Sequence, residues 1–258
     1  MVITLHRGWV ALGGLAAGIA FAALVFWASA PLDIAAKVHS TAAPTNAPVL
    51  SSIQTGAREV ALTFDDGPDP QNTPAILRLL REHHAKATFF VLGSQAEKFP
   101  GLVEAIARDG EEVESHSMSH RNLAGLRPSR VSYELTSTAG LIHELTGADP
   151  HFFRPPYGSL SPTVLRAAAR LHETVTLWTI DTRDWTGRSA AAITSTVLAQ
   201  LRPGAIILMH DGGGPRGRTI KALQSILVAL SQRGYRAVTL QTLVRDAVGQ
   251  TAAAPSSP

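Results

Sequence analysis

The sequence predicts an α/β domain on a largely parallel sheet, open or closed into a barrel, from Arg58 to Val248. Three observations carry that expectation. Strand-like apolar runs alternate with helix-like amphipathic runs throughout the stretch, the pattern of repeated βα units. Several helical runs open with proline in the first turn, at Pro74, Pro100 and Pro162. Clusters of polar residues follow the strand-like runs, and active sites of such folds gather at the C-terminal strand ends.

In chain order, strands are expected at Glu59–Phe64, Ala87–Leu92, Glu111–Ser115, Phe152–Arg154, Glu173–Ile180, Ala205–Met209 and Arg236–Leu240. Helices are expected at Pro74–His84, Pro100–Arg108, Ser129–Thr146, Ser161–Leu171, Ala190–Leu201 and Thr219–Arg233.

The flanks are different in kind. No charged side chain lies between Arg7 and Asp33, and as a helix that run reaches roughly 37 Å, beyond the ~30 Å hydrocarbon core. The expected organisation is a cytoplasmic segment over 1–8, a transmembrane anchor over 9–30, a flexible Ala/Ser/Thr/Pro-rich linker over 31–57, the folded domain over 58–248 and a disordered tail over 249–258. A cleaved signal peptide is the alternative, with Ala28-Ser29-Ala30 as its cleavage site. Against it, the apolar run exceeds the usual ~7–15 residues and Pro31 would follow the cut. Either way the domain is expected outside the cytoplasm, membrane-anchored or, if cut after Ala30, secreted.

The 258 residues hold 23 Lys+Arg against 20 Asp+Glu, a net charge of +3. With a pI near 9.6, the chain suits an anionic partner such as a cell wall or lipid head groups, but the excess is too small to argue for nucleic acid. No protein partner is inferred. The absence of cysteine rules out a disulfide scaffold, a cysteine-ligated zinc site, an iron–sulfur cluster and a thiol nucleophile.

Chemistry concentrates in five clusters. Asp65 and Asp66, in Thr63-Phe64-Asp65-Asp66-Gly67-Pro68, repel one another unless a cation lies near. His116 and His120, four apart, can share an ion only if their rings converge, which a helical turn would achieve and a straight strand would not. With Asp66 they make three ligands and leave a position for water. In Arg154-Pro155-Pro156-Tyr157-Gly158 neither proline can donate, so Tyr157 supplies the first free backbone N–H, suited to an oxyanion hole. Asp181-Thr182-Arg183-Asp184-Trp185 follows the expected strand that ends at Ile180. His210 ends the run Ala205–Met209, where a carboxylate that orients it would make it a general acid. His83, His84, His143 and His172 fall on helical stretches, and Trp178 reads as strand core rather than a sugar platform.

In order, these clusters resemble the motifs of the polysaccharide deacetylase family, the NodB-homology or carbohydrate esterase 4 group: TFDDGP (63–68), HSMSH (116–120), RPPYG (154–158), DTRDW (181–185) and LMH (208–210). The resemblance runs from Arg58 to about Val244. It implies a distorted (β/α) barrel of about seven strands. Asp66, His116 and His120 would hold a divalent metal, usually Zn2+, with Co2+, Ni2+ or Mn2+ as alternatives. Asp65 would be the base, held by Arg154, and His210 the acid, partnered by Asp184. The Tyr157 N–H would stabilise the oxyanion, while Trp185 and Leu208 would line the acetyl pocket. The implied activity is hydrolysis of N-acetyl groups on an N-acetylated polysaccharide, peptidoglycan first and chitooligosaccharide next. An O-acetyl esterase and an inactive glycan-binding module on the same fold stay open.

Overall fold

Glu59–Asp65 reads Glu-Val-Ala-Leu-Thr-Phe-Asp, and all of it is buried. A strand buried on both faces belongs inside a parallel sheet covered by helices. The computed structural model, which describes residues 45–253 and side chains to 249, places it there. The strands are β1 (Val49–Leu50), β2 (Glu59–Asp65), β3 (Thr88–Val91), β4 (Glu112–Ser115), β5 (Phe152–Phe153), β6 (Thr174–Thr176), β7 (Ile180–Asp181), β8 (Ala205–His210) and β9 (Arg236–Val238). The helices are α1 (Asn72–Glu82), α2 (Gly93–Lys98), α3 (Pro100–Arg108), α4 (Pro128–Thr146), α5 (Pro162–Arg170), α6 (Ala190–Gln200), α7 (Gly217–Gln232) and α8 (Leu240–Ala253).

Every strand pairing among the described residues is parallel, in the order β1-β6-β5-β4-β3-β2-β8-β7, with β9 beside the first half of β2. The sheet is a curled half-barrel of nine strands, where about seven were expected. The expected strand Glu173–Ile180 accounts for part of the difference. It divides into β6 and β7, which lie toward opposite ends of the sheet: β6 pairs with β5 and β1, and β7 pairs with β8. One short run of chain therefore joins both ends, and the sheet must curl to let it.

β1 is the other difference, because it lies in the stretch expected to be linker. Val175 and Leu177 N–H groups donate to Pro48 and Leu50 carbonyls at 2.9 and 2.7 Å, and Ile53 N–H donates to Gly204 at 3.1 Å. Ala47 and Ile53 are buried. Residues 47–53 thus seal the opening between the sheet's two ends. Pro48 and the small residues around it hide a strand only two residues long.

Three apolar cores follow from this geometry. The largest lies between the sheet's outer face and α1, α3, α6 and α7, and holds Phe64 stacked on Phe89 at 5.1 Å. A second packs α4 and α5 against Phe153 and Val175. The third joins Ala61, Phe90, Phe152 and Ile206 to Leu240, Leu243 and Ala247 of α8. α8 passes the boundary at Val248 where a tail was expected, and residues 254–258 lie outside the described residues. Its first turn is held by Thr239 Oγ1, which accepts from Thr242 N–H at 3.2 Å, and by Glu112, which accepts from Gln241 N–H at 3.2 Å.

The cytoplasmic segment and the anchor expected over 9–30 also lie outside the described residues. Among the described residues no helix is long and apolar enough to cross a membrane.

Gly204 tests the seal. Its φ is +75°, and a Cβ there would stand 1.8 Å from the Ile53 carbonyl oxygen. Gly204→Ala is expected to lower the unfolding free energy by about 1–3 kcal/mol in urea titrations. An unchanged midpoint would mean that residues 47–53 do not press on the β8 entry.

Candidate active site

The polar clusters meet at the C-terminal end of the sheet. Asp65 ends β2, His116 follows β4, Arg154 follows β5, and Asp181 and His210 end β7 and β8. Parallel strands put all these ends on one side. The cleft above them is about 490 Å³ and is lined by Asp65, Asp66, His116, His120, Tyr157 and His210, among others.

The donor atoms of Asp66, His116 and His120 all lie within 4.8 Å of one another. Asp66 Oδ1 stands 3.5 Å from His116 Nε2 and 3.2 Å from His120 Nε2. His116 Nδ1 lies 2.7 Å from the Arg154 carbonyl, which can only accept, so Nδ1 carries the proton and Nε2 is left with its lone pair. Burial and the neighbouring His116 hold His120 below the ordinary imidazole pKa, in the neutral form a metal needs. Burial works to raise the Asp66 carboxyl, but His116, His120 and His210 outweigh it and keep it well below the usual carboxylate range. Asp66 Oδ1 is buried with no hydrogen-bond partner. An orphaned carboxylate oxygen facing two imidazole nitrogens fits a divalent cation, and the Asp-His-His set suits zinc with an open position.

The two histidines do not sit on a helical turn, as convergence had suggested. They are joined by an irregular loop with Ser117 at φ +73° and His120 at φ +54°, and these left-handed residues fold the chain back until the rings are 5.2 Å apart. Asp66, Tyr157 and Arg183 also have positive φ, so among the described residues five of the seven such non-glycine residues lie in site loops. Backbone of this kind costs about 1–3 kcal/mol per residue and persists where surroundings enforce it. Gly212 is part of that enforcement: a Cβ there would stand 1.9 Å from the Asp66 carbonyl oxygen.

Arg154 is fully buried. Its Nη1 donates to Asp65 Oδ1 at 2.6 Å and Thr63 Oγ1 at 2.8 Å, its Nη2 to the Leu177 carbonyl at 3.1 Å, and its guanidinium lies 4.0 Å over the Phe90 ring. Asp65 is thereby fixed through Oδ1, with Oδ2 at 3.7 Å from His116 Nε2. Across the cleft, His210 Nδ1 meets Asp184 Oδ1 at 2.7 Å, and Asp184 Oδ2 accepts from the His210 N–H and Thr219 Oγ1. In the RPPYG loop the turn bonds run from Gly158 to Pro155 and from Ser159 to Pro156. They leave the Tyr157 N–H out of the turn. Trp185 is exposed and Leu208 buried, and both line the cleft.

Eight of the ten expected site residues line this cleft, while Arg154 and Asp184 lie behind it and reach it through Asp65 and His210. Trp178 is half-buried and packs against the third core, as expected, but it also lines the cleft, which sequence reasoning missed along with Asp181, Gly213 and Arg216. Position at a strand end was the available signal for Asp181. Asp69 and Asp211, beside the motifs, have structural work. Asp69 Oδ1 accepts from the Gln71 and Asn72 N–H groups at the start of α1. Asp211 is buried against Thr73, and burial pushes its carboxyl up to about 7.

Burial opposes a charged His210, but the Asp184 hydrogen bond and charge outweigh it and hold the imidazole above its ordinary pKa. Asp184 is raised by burial and lowered more by His210 and Thr219, and ends below its ordinary value. In metal-free protein, Asp184→Asn is expected to lower the His210 pKa, read from imidazole NMR shifts. A raised imidazole pKa stabilises fully below the unfolded value of about 6.5 and loses that stabilisation as pH rises through the folded value. The depressed Asp184 contributes at all pH above its unfolded value of about 3.9. The stability gap between wild type and variant should therefore be larger near pH 5.5 than above the folded His210 pKa; a gap independent of pH would rule the ion pair out as its source.

Comparison with known proteins agrees with this geometry. The polysaccharide deacetylase family model matches residues 52–175. A peptidoglycan-N-acetylglucosamine deacetylase of Bacillus cereus is 42% identical over 186 residues, covering 72% of this chain and 68% of that protein. A chitooligosaccharide deacetylase of Bradyrhizobium is 38% identical over 192 residues, covering 70% of this chain and 88% of that protein. A solved peptidoglycan N-acetylglucosamine deacetylase, in complex with 4-naphthalen-1-yl-N-oxidanyl-benzamide, superposes with a TM-score of 0.75 at 40% identity, covering 77% of this chain and 94% of that one. The curled parallel sheet, the order of the five clusters and these likenesses agree: the chain belongs to the polysaccharide deacetylase family, the carbohydrate esterase 4 group of N-deacetylases.

Proposed function

We propose that the chain is a metal-dependent hydrolase that removes N-acetyl groups from N-acetylglucosamine units of a cell-wall or surface polysaccharide, with peptidoglycan as the leading substrate and chitooligosaccharide next. One observation carries the reading: the Asp66–His116–His120 donor set shares a single cleft with the Asp65–Arg154 and His210–Asp184 pairs. The activities named for the two curated relatives favour these two glycans.

Asp66, His116 and His120 would hold the ion, with Zn2+ favoured by the imidazole and carboxylate donors and Co2+, Ni2+ or Mn2+ as alternatives. When bound, it supplies a Lewis acid for the acetamide carbonyl and lowers the pKa of water toward neutrality. Asp65 is the base: Arg154 fixes one oxygen, and the other faces the donor set, placed to take the proton of the attacking water. The Tyr157 N–H donates to the oxyanion that develops on the carbonyl oxygen. His210, oriented through Nδ1 by Asp184, delivers a proton from Nε2 to the departing amine. Trp185 and Leu208 shield the acetyl methyl from water. The products are acetate and a glucosamine unit with a new positive charge. Export rests on the apolar run over 9–30, which would anchor the domain outside the cytoplasm.

His116→Ala is expected to lose the metal, measured by elemental analysis. Asp65→Asn should keep it while kcat falls by about 10²–10⁴. Acetate release at the wild-type rate from Asp65→Asn would remove Asp65 as the base. On peptidoglycan and chitooligosaccharide, acetate and free amine should appear together in equal amounts, while acetylated xylan should release neither. Acetate without amine would point to an O-acetyl esterase, and metal-loaded protein inert on all three would favour a glycan-binding module.

A further inference from the structure

The cleft holds one buried cation that the reaction does not use. Arg216, the residue before α7, is 7% exposed. Its Nε donates to the Gly212 carbonyl at 2.7 Å, yet among the described residues no carboxylate forms an ion pair with it. A buried guanidinium without a counter-charge is costly, and an apolar residue would serve packing at less expense. Its Nη2 lies 3.0 Å from the point where a Gly213 Cβ would stand, and Asp66 Oδ2 lies 3.0 Å from the same point. The missing side chain at Gly213, whose φ is +72°, keeps the space between guanidinium and donor set open.

That space continues away from the reacting groups. A second groove, also of about 490 Å³, shares Trp185, Gly213 and Arg216 with the first and extends along Gly214 and Arg218. It ends at the first turn of α7, which has no side-chain cap and no acidic residue. Such a turn presents unpaired N–H groups and the positive end of the helix dipole. Arg218 is exposed there and bridges the groove by donating to the Gly187 carbonyl. The carboxylate in the groove wall, Asp184, is committed to His210 and Thr219. Asp181, in the first cleft, accepts from the Arg183 N–H.

We infer that Arg216, backed by Arg218 and the uncapped start of α7, forms a subsite for a carboxylate on the sugar next to the one that loses its acetyl group. The inference rests on the deacetylase reading and narrows it: the site selects acidic glycans, such as peptidoglycan strands whose lactyl carboxylate is not capped by the stem peptide, over uncharged chitooligosaccharides.

The test uses two oligosaccharides that differ only in the lactyl group of the neighbouring sugar, one a free carboxylate and the other its methylamide. Equilibrium binding to zinc-loaded Asp65→Asn protein reads the subsite without turnover, and kcat/KM on the Asp65 protein reads it with turnover. The acid is expected to bind at least tenfold tighter than the amide, the scale of a hydrogen bond to a charged group. Arg216→Gln should bring that ratio close to one, mainly through KM. A residue that only braced the loop would weaken both ligands alike and leave the ratio unchanged, which would overturn the inference, as would equal binding to the starting protein. If Arg216→Gln fails to fold by circular dichroism, Arg218→Glu replaces it and should cut the ratio severalfold, while an unchanged ratio again overturns the inference. Tight binding of the acid without acetate release would sink the deacetylase reading and leave the subsite standing.

Discussion

The buried guanidinium of Arg154 is the interaction on which the rest of the structure depends. It reaches Thr63 and Asp65 on β2 and the Leu177 carbonyl beyond β6, and it lies over Phe90 of β3. Its own carbonyl receives the His116 Nδ1 proton. One residue therefore orients the proposed base, sets the tautomer of a proposed metal ligand and ties together strands that are far apart in sequence. Burying this charge is expensive unless every partner is in place, so the curl of the sheet and the geometry of the site form together.

The curl has a second cause in the run from Thr174 to Asp181, which pairs toward one end of the sheet at its start and the other at its finish. Residues 47–53 seal the gap and α8 packs Leu240 and Leu243 into the interior core. The inside of the half-barrel is filled by buried apolar side chains as a result. Burial lowers the effective dielectric around the Arg154–Asp65 and His210–Asp184 pairs and strengthens their electrostatics. The catalytic face can then carry several left-handed residues because the layer beneath it is closed and rigid.

Much of the site was legible in the sequence because its residues sit in short local motifs directly after apolar strands. Asp65, Asp66, His116, His120, Tyr157, Trp185, Leu208 and His210 line one cleft, with Arg154 and Asp184 paired behind Asp65 and His210. What escaped had weak local signals. β1 is two residues in a Pro- and Ala-rich stretch, and its pairing partner is more than a hundred residues away. α8 did carry a local sign, Thr239 as cap with apolar residues at 240, 243, 244 and 247, but the preceding strand-like run concealed its start. Trp178 was assigned to a strand interior because nothing local shows that the strand breaks there. Arg216 lies in a glycine-rich loop whose path is set by contacts with Asn72 and Asp66.

By itself the sequence determined the α/β class, the position of most helices and strands, and which polar residues stand at the strand ends, because periodicity, capping and turn residues act over a few positions. Only the tertiary structure decided the curl and its closure, the left-handed loop that converges His116 and His120, the tautomer of His116, and the groove that makes Arg216 a neighbour of the site. These depend on hydrogen bonds and packing between segments distant along the chain, and their energies exist only once the sheet has closed.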